Sequence, residues 1–423
     1  MKRRFLLAVC ICYWCYSFAQ TETMLIVVPQ QFSTCLDDFI TYKTREDISC
    51  CLVVVQDSLS CEEIKGSIYQ AYQSTFATYL LLIGDNMFIP SYPLDEGWTD
   101  ADYAIFGSDS LPSMAVGRFS CECREELFTM LEKSMSPHHG RYFGVIASNI
   151  VSEMTGKEDY VRLREMYPPL FAHGFQLQGE LFDGSQGGYD SVGSPVKLQV
   201  QNLLNKGCDL LFYAGHGDYD TWQTSGFSSA DIAQTRNTIF PIIFSAACLN
   251  GNFVDRTCFA ESWLGSRHGA KAVVMSSALN DWDANLEGLG VALASLQTDS
   301  KLGDLWLSAF GYTSLRLHRN KDAKTWVLFG DPSMSIMDKN NTIVASNDIK
   351  DITIYPNPTS NIIHITTDTE VSNPKDISIY DQQGRFLKSY HLSGNHFQID
   401  LSEFPNGIYF FTIANRCMIV IKH

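Results

Sequence analysis

LLFYAGHGDYDTW at residues 210–222 and PIIFSAACLNG at residues 241–251 each open on an apolar run and close on small and polar residues. Runs of this kind, with no polar face, are strands covered on both sides, as in a parallel sheet held between helices. The same texture recurs at MLIVVP (24–29), CLVVVQ (51–56), TYLLLIGD (78–85), MAVGRF (114–119), FGVIAS (143–148) and AKAVVMSSA (270–278), and the second quoted run reaches back to Thr238. Mixed stretches with helical spacing lie between them, among them Glu62 to Gln73 and Arg124 to Met135, and supply crossover helices. The fold expected is α/β: a mostly parallel sheet flanked by helices, in two similar halves dividing near SPHHGR (136–141).

Open α/β sheets bind ligands at the carboxyl edge of their strands. Two strand ends here carry groups suited to nucleophilic catalysis. In the first, Gly215 and Gly217 flank His216, so the backbone turns sharply and leaves the imidazole at the edge. In the second, Ala246 and Ala247 precede Cys248, and their small side chains admit a substrate. An imidazole beside a thiol takes its proton and later returns it to a leaving amine. The backbone N–H groups of Gly217 and Cys248 are the natural donors to an oxyanion. Taken singly, Cys248 reads equally as a small core residue and His216 as a turn histidine with local hydrogen bonds. Their placement 248 − 216 = 32 residues apart on consecutive strands favours the catalytic pair.

The chain starts MKRRFLLAVCICYWCYSFAQ: three basic residues, an apolar run and a small-residue site ending at Ala19, which together read as a secretory signal peptide over residues 1–19. LLAVC at Cys10 also permits a lipoprotein reading, although the apolar segment before it is short. No later segment is apolar for long enough to span a bilayer. The net charge of −16 and the absence of a basic patch exclude nucleic acid as the expected partner. Of thirteen cysteines, ten follow the signal segment, and their spacing matches neither a disulfide framework nor a zinc knuckle; Cys121-Glu122-Cys123 has the wrong interval for the latter.

Beyond residue 340 the texture changes to short alternating strands: ITIYPNP, NIIHITT, ISIYDQQG, FLKSYHL, FQIDLSEFPNGIYFFTI and IVIKH. Turn residues at Pro356-Asn357-Pro358, Gln383-Gly384 and Pro405-Asn406-Gly407 separate them. The division expected is 20–138 for an N-terminal α/β subdomain, 139–339 for a catalytic subdomain, 340–350 for a polar linker and 351–423 for a small all-β, sandwich-like module.

GHGDYDTW, FPIIFSAACLNGNF, TCFAESWL, SSALNDW and TWVLFGDPSM, in that order, resemble the catalytic domain of the gingipain-type cysteine peptidases, family C25 of the caspase-like clan. MLIVVP, YLLLIGD and VGRFSCECREEL extend the resemblance over Met24 to Met337. It implies a caspase-like sheet, protein or peptide substrates, and a dyad of His216 and Cys248. It also places Asp159 at the base of a pocket for a basic P1 side chain, Trp282 as that pocket's aromatic wall, and Glu153 as an acid that could orient His216. The chemistry needs no cofactor. Calcium is implied as a structural ion, with its ligands unknown. Only Gln20 to Thr23 separate the signal segment from MLIVVP, so latency through a long pro-segment is not expected. Nor does an immunoglobulin-like domain follow the catalytic unit.

IYPNPTSNIIHI, ISIYDQQGRFLKS and FPNGIYFFTI resemble the C-terminal sorting domain of type IX secretion substrates. That resemblance implies partnership with the type IX machinery and release or attachment at the outer-membrane surface of a Bacteroidetes-type bacterium. Two other functions use the same features: a transpeptidase that processes sorting domains, and a non-catalytic surface protein that binds through a caspase-like fold.

Overall fold

The computed structural model describes residues 22–56, 59–107, 110–138, 140–183, 196–337, 352–381, 386–413 and 416–423. The signal segment at 1–19 and the linker at 340–350 lie outside the described residues.

Ten strands form one sheet: β1 (Glu22–Pro29), β2 (Ile48–Val55), β3 (Tyr79–Ile83), β4 (Ala115–Phe119), β5 (Tyr142–Ser148), β6 (Gln176–Asp183), β7 (Leu210–Ala214), β8 (Ile242–Ala246), β9 (Ala272–Ser276) and β10 (Trp326–Phe329). Their order is β2-β1-β3-β4-β10-β9-β8-β7-β5-β6. All neighbours run parallel except β9 and β10. The N-terminal four strands and the remaining six are thus joined edge to edge, through the pairing of Arg118 with Phe329. The apolar runs became central strands because both faces are covered: every residue of β3, β4, β7, β8 and β9 is buried. The edge strand β2 differs, with Leu52 and Val54 exposed, because its apolar run outlasts the cover.

Helix α1 (Asp37–Arg45) follows β1, and α2 (Cys61–Thr75) follows β2 with a Ser60–Glu63 capping box. Helix α3 (Arg124–Ser134) follows β4. On the far side of the sheet's midpoint come α4 (Asp159–Arg164), α5 (Tyr167–Ala172), α6 (Lys197–Lys206), α7 (Phe259–Gly265), α8 (Trp282–Ala294), α9 (Leu302–Gly311) and α10 (Asn320–Thr325).

Two buried polar groups tie the halves together. Arg118 is fully buried and bonds both oxygens of Asp100 at 2.7 Å, while donating to the carbonyls of Gly84 and Ile89 at 2.8 and 3.0 Å. Its guanidinium also lies 5.0 Å from the ring centroid of Phe253, in the segment that follows β8. Lys133 donates to the carbonyls of Trp263, Leu264 and Ser266 at the end of α7.

The C-terminal strands Ile352–Tyr355, Ile362–Asp381, Phe386–Asp400, Gly407–Ile413 and Arg416–Lys422 make a separate five-stranded antiparallel sheet. Its own core gathers Ile363, Ile365, Ile377, Ile379, Phe411 and Val420. NIIHITT and ISIYD, which read as two strands, run on as one long strand, and FLKSYHL continues likewise into FQID.

Candidate active site

Parallel pairing fixes the site. Ala214 of β7 is the register partner of Ala147 in β5 on one side and of Ala246 in β8 on the other. Two residues beyond this row, β7 delivers His216 and β8 delivers Cys248, both at the carboxyl edge. The loops then meet closely: a β-carbon at Gly217 would lie 2.7 Å from the Cys248 carbonyl oxygen and 2.9 Å from the Ala247 β-carbon. Gly215 has φ +147°, a conformation side-chain-bearing residues rarely adopt, and it carries the chain from the strand into the turn that holds His216.

Side chains that sequence reasoning did not single out lock this arrangement. The Asn250 amide donates to the carbonyls of Asp218 and Thr221 at 2.6 and 3.2 Å, so the Cys248 loop is fastened to the hairpin that follows His216. The Asn250 side-chain oxygen accepts from Ser245 at 3.0 Å, and Ser245 accepts from the Trp222 indole at 3.0 Å. Tyr213 donates to the His216 carbonyl at 2.5 Å and stacks on Trp222 at 4.7 Å. A polar Asn two residues after the nucleophile was the one available sequence signal. Ser245 and Trp222 read only as strand and hairpin residues.

The opposite wall comes from the segment after β9. Leu249 N–H donates to the Ala278 carbonyl at 3.0 Å, Gly251 N–H to Ser276 at 2.7 Å, and the Cys248 thiol to the carbonyl of Asn280 at 3.4 Å. The N-terminal half reaches the same wall. Trp98 N–H donates to the Ser277 hydroxyl at 3.0 Å, and that hydroxyl donates back to the Trp98 carbonyl at 2.6 Å.

His216 packs edge to face on Trp282, with ring centroids 4.9 Å apart. Partial burial lowers the imidazole's affinity for a proton below its usual value. Burial raises the Cys248 thiol; the hydrogen bond to Asn280 opposes this, and the charges of Asp322 and Asp281 add to it. Both shifts favour the neutral thiol and neutral imidazole at rest.

Asp159, the first residue of α4, is fully buried beneath Trp282. It accepts from Ser148 at 2.6 Å and from the Trp282 indole N–H at 3.3 Å, with the Arg162 guanidinium 3.7 Å away. Burial pushes its carboxyl up to about 6 against these three partners. Arg162 also donates to Asp283 and, at 3.2 Å, to Glu287. Three carboxylates therefore share one cation. Beside Trp282 lies a cleft of about 540 Å³ lined by 150–154, 280–283 and Arg319. Glu153 is exposed on its wall, and no hydrogen bond or ion pair among the described residues joins it to His216. Among the described residues no group of three or more His, Cys, Asp or Glu side chains is placed to hold a metal ion, and no ligand set for calcium emerges. No helix of the described residues is long and apolar enough to cross a membrane.

A cysteine and a histidine thus stand on adjacent parallel strand ends, at the carboxyl edge of a helix-flanked sheet, where open α/β sheets bind ligands. The chain belongs to peptidase family C25, whose model matches residues 18–337, and a secretion-system C-terminal sorting domain matches residues 353–422. It is 26% identical over 345 residues to gingipain R2 of Porphyromonas gingivalis, which covers 74% of this chain and 46% of that one. It is 26% identical over 349 residues to gingipain R1 of the same species, covering 75% and 34%. The chain thus spans half or less of the length of these relatives. The crystal structure of the Arg-specific cysteine proteinase gingipain R superposes with a TM-score of 0.67 at 20% identity, covering 95% of this chain and 97% of that one. Peptidases of this family need no cofactor for their chemistry. The sorting domain and these relatives place the protein outside the cell or on the cell surface of a Bacteroidetes-type bacterium.

Proposed function

We propose that the protein is a secreted cysteine endopeptidase that cuts protein substrates after Arg or Lys, with Cys248 as nucleophile and His216 as proton carrier. The observation that carries this reading is the shared register of Ala214 and Ala246, which brings both groups to one edge with the Gly217 and Cys248 backbones in contact.

With the dyad neutral at rest, His216 takes the thiol proton as a substrate carbonyl arrives, and the sulfur forms a bond to that carbon. The carbonyl oxygen becomes an oxyanion. Cys248 N–H, which has no acceptor among the described residues, and Gly217 N–H are its donors. His216 then gives its proton to the departing amine. Water, deprotonated by the same imidazole, cleaves the thioester and regenerates the thiol.

For specificity, the three carboxylates of Asp159, Asp283 and Glu287 around Arg162 leave the neighbourhood of Trp282 net negative. A basic side chain stacked on the indole would complete that balance. The side-chain amide of Asn280, buried and without a partner among the described residues, lines the same cleft and suits a polar contact with substrate. Glu153 reads better as part of the cleft wall than as an orienter of His216. A structural calcium ion and delivery by the type IX machinery complete the proposal, and no step of the chemistry runs through the metal.

Incubation of the exported protein with a mixed peptide library under reducing conditions tests it. Cleavage after Arg and Lys, abolished by Cys248→Ala, is expected. An inert parent protein would refute the enzymatic reading, and cleavage only after neutral residues would refute the assignment of Asp159.

A further inference from the structure

Asp322, on α10, is 5% exposed, and its carboxylate accepts a single backbone bond, from Asp281 N–H at 3.2 Å. Every cation around it is committed elsewhere: Arg319 to Asp281 at 3.0 Å, Lys321 to Glu96, and Lys324 to Asp102 at 2.6 Å. Among the described residues no cation stands within ion-pair distance of Asp322 itself. A buried carboxylate without a counterion is costly, and an asparagine would accept the same N–H without burying charge.

The bond it makes falls at a sensitive place. Asp281 caps α8 by accepting from Asp283 N–H at 3.2 Å, and the residue before it, Asn280, offers the carbonyl that accepts the Cys248 thiol. Resting on the peptidase reading above, we infer that Asp322 is a positioning residue for the nucleophile, holding the Asn280–Asp281 strap so that its carbonyl engages Cys248.

The charge of Asp322 has a second effect. The groups that face the Cys248 sulfur electrostatically are Asp322 and Asp281, both of which hold its proton on, and Lys321, which opposes them; His216 approaches from the neighbouring strand end. Burial and the charge of Asp281 raise the proton affinity of Asp322 in turn, against the bond from Asp281 N–H and the charges of Arg319 and Lys321. An ionised Asp322 therefore favours the protonated thiol.

The experiment follows alkylation of Cys248 by iodoacetamide against pH in the full chain, read by mass spectrometry on the peptide that carries it, since other free cysteines are present. Asp322→Asn should lower the midpoint by about half a pH unit, making alkylation about threefold faster at neutral pH. Asp322→Ala should show the same shift together with a raised KM. Lys321→Met, an exposed change that leaves the fold alone, should move the midpoint upward. A folded Asp322→Ala protein with the parent's KM and an unmoved midpoint overturns the inference; if that variant does not fold, an unmoved midpoint in Asp322→Asn overturns it. The readout needs no peptide cleavage, so an inactive parent that still shows the shifts would sink the peptidase reading and leave the electrostatic link standing.

Discussion

The carbonyl oxygen of Cys248 and the α-carbon of Gly217 are so close that no side chain fits at position 217, where a β-carbon would meet that oxygen at 2.7 Å. Gly217→Ala should therefore push the His216 hairpin off the nucleophile loop while leaving the sheet intact. We expect kcat/KM to fall about 100-fold with an unchanged circular dichroism spectrum, since small displacements of reacting groups cost that much. Full activity in this variant would mean that the two loops do not have to touch.

Asp159 should impose a pH limit on selectivity. Its carboxyl titrates at about 6, so a basic P1 side chain loses its partner as pH falls through that value. KM for Arg and Lys substrates should rise below pH 6, and that for neutral ones should not. The folded value lies above the ordinary 3.8, so the native state binds a proton between these limits that the unfolded chain does not. The contribution of this group to stability therefore improves as pH falls from 6 towards 4. Asp159→Asn should lower kcat/KM on Arg substrates about tenfold or more while melting no earlier than the parent at neutral pH.

A neutral resting dyad has a kinetic signature. Alkylation of Cys248 in the free enzyme should have its midpoint above 9, and the acid limb of kcat/KM should fall below pH 6.5, following the shifts of thiol and imidazole away from those values. A plateau of alkylation reaching down to pH 5 would instead report a thiolate–imidazolium pair.

Arg118→Met removes the counterion of a buried carboxylate. Leaving Asp100 without its partner should cost about 3–5 kcal/mol in denaturant unfolding, and adding Asp100→Asn should recover part of the loss. If the single variant is as stable as the parent, the pair is not what holds the loops around Gly84, Ile89 and Asp100 on β4.

Eight of the ten sheet strands were legible because each carries a short apolar run covered on both faces or nearly so. Gln176–Asp183 was not: QLQGELFD is an edge strand in which polar residues and a glycine separate Leu177 from Leu181, so no continuous apolar run marks it. Trp326–Phe329 read only as an apolar lead-in to the Gly330 turn, since four residues carry no periodicity. The candidate pair of His216 and Cys248 showed in sequence because glycines and alanines cluster around it. Asn250, Ser245 and Asp322 did not, because their roles arise from strand register and from a helix packed across some 70 residues of sequence.

The bond between Trp98 and Ser277 carries a consequence for how such a protein can diversify. Gly97, with φ +81°, would place a β-carbon 2.6 Å from that of Ala278, so the hairpin fits flush against the segment leading to Asn280. The N-terminal half of the chain thus shapes the wall beside the candidate pair in the other half. A chimera of two relatives joined at 136–141 would therefore bring together surfaces that were not fitted to each other at Gly97 and Ala278.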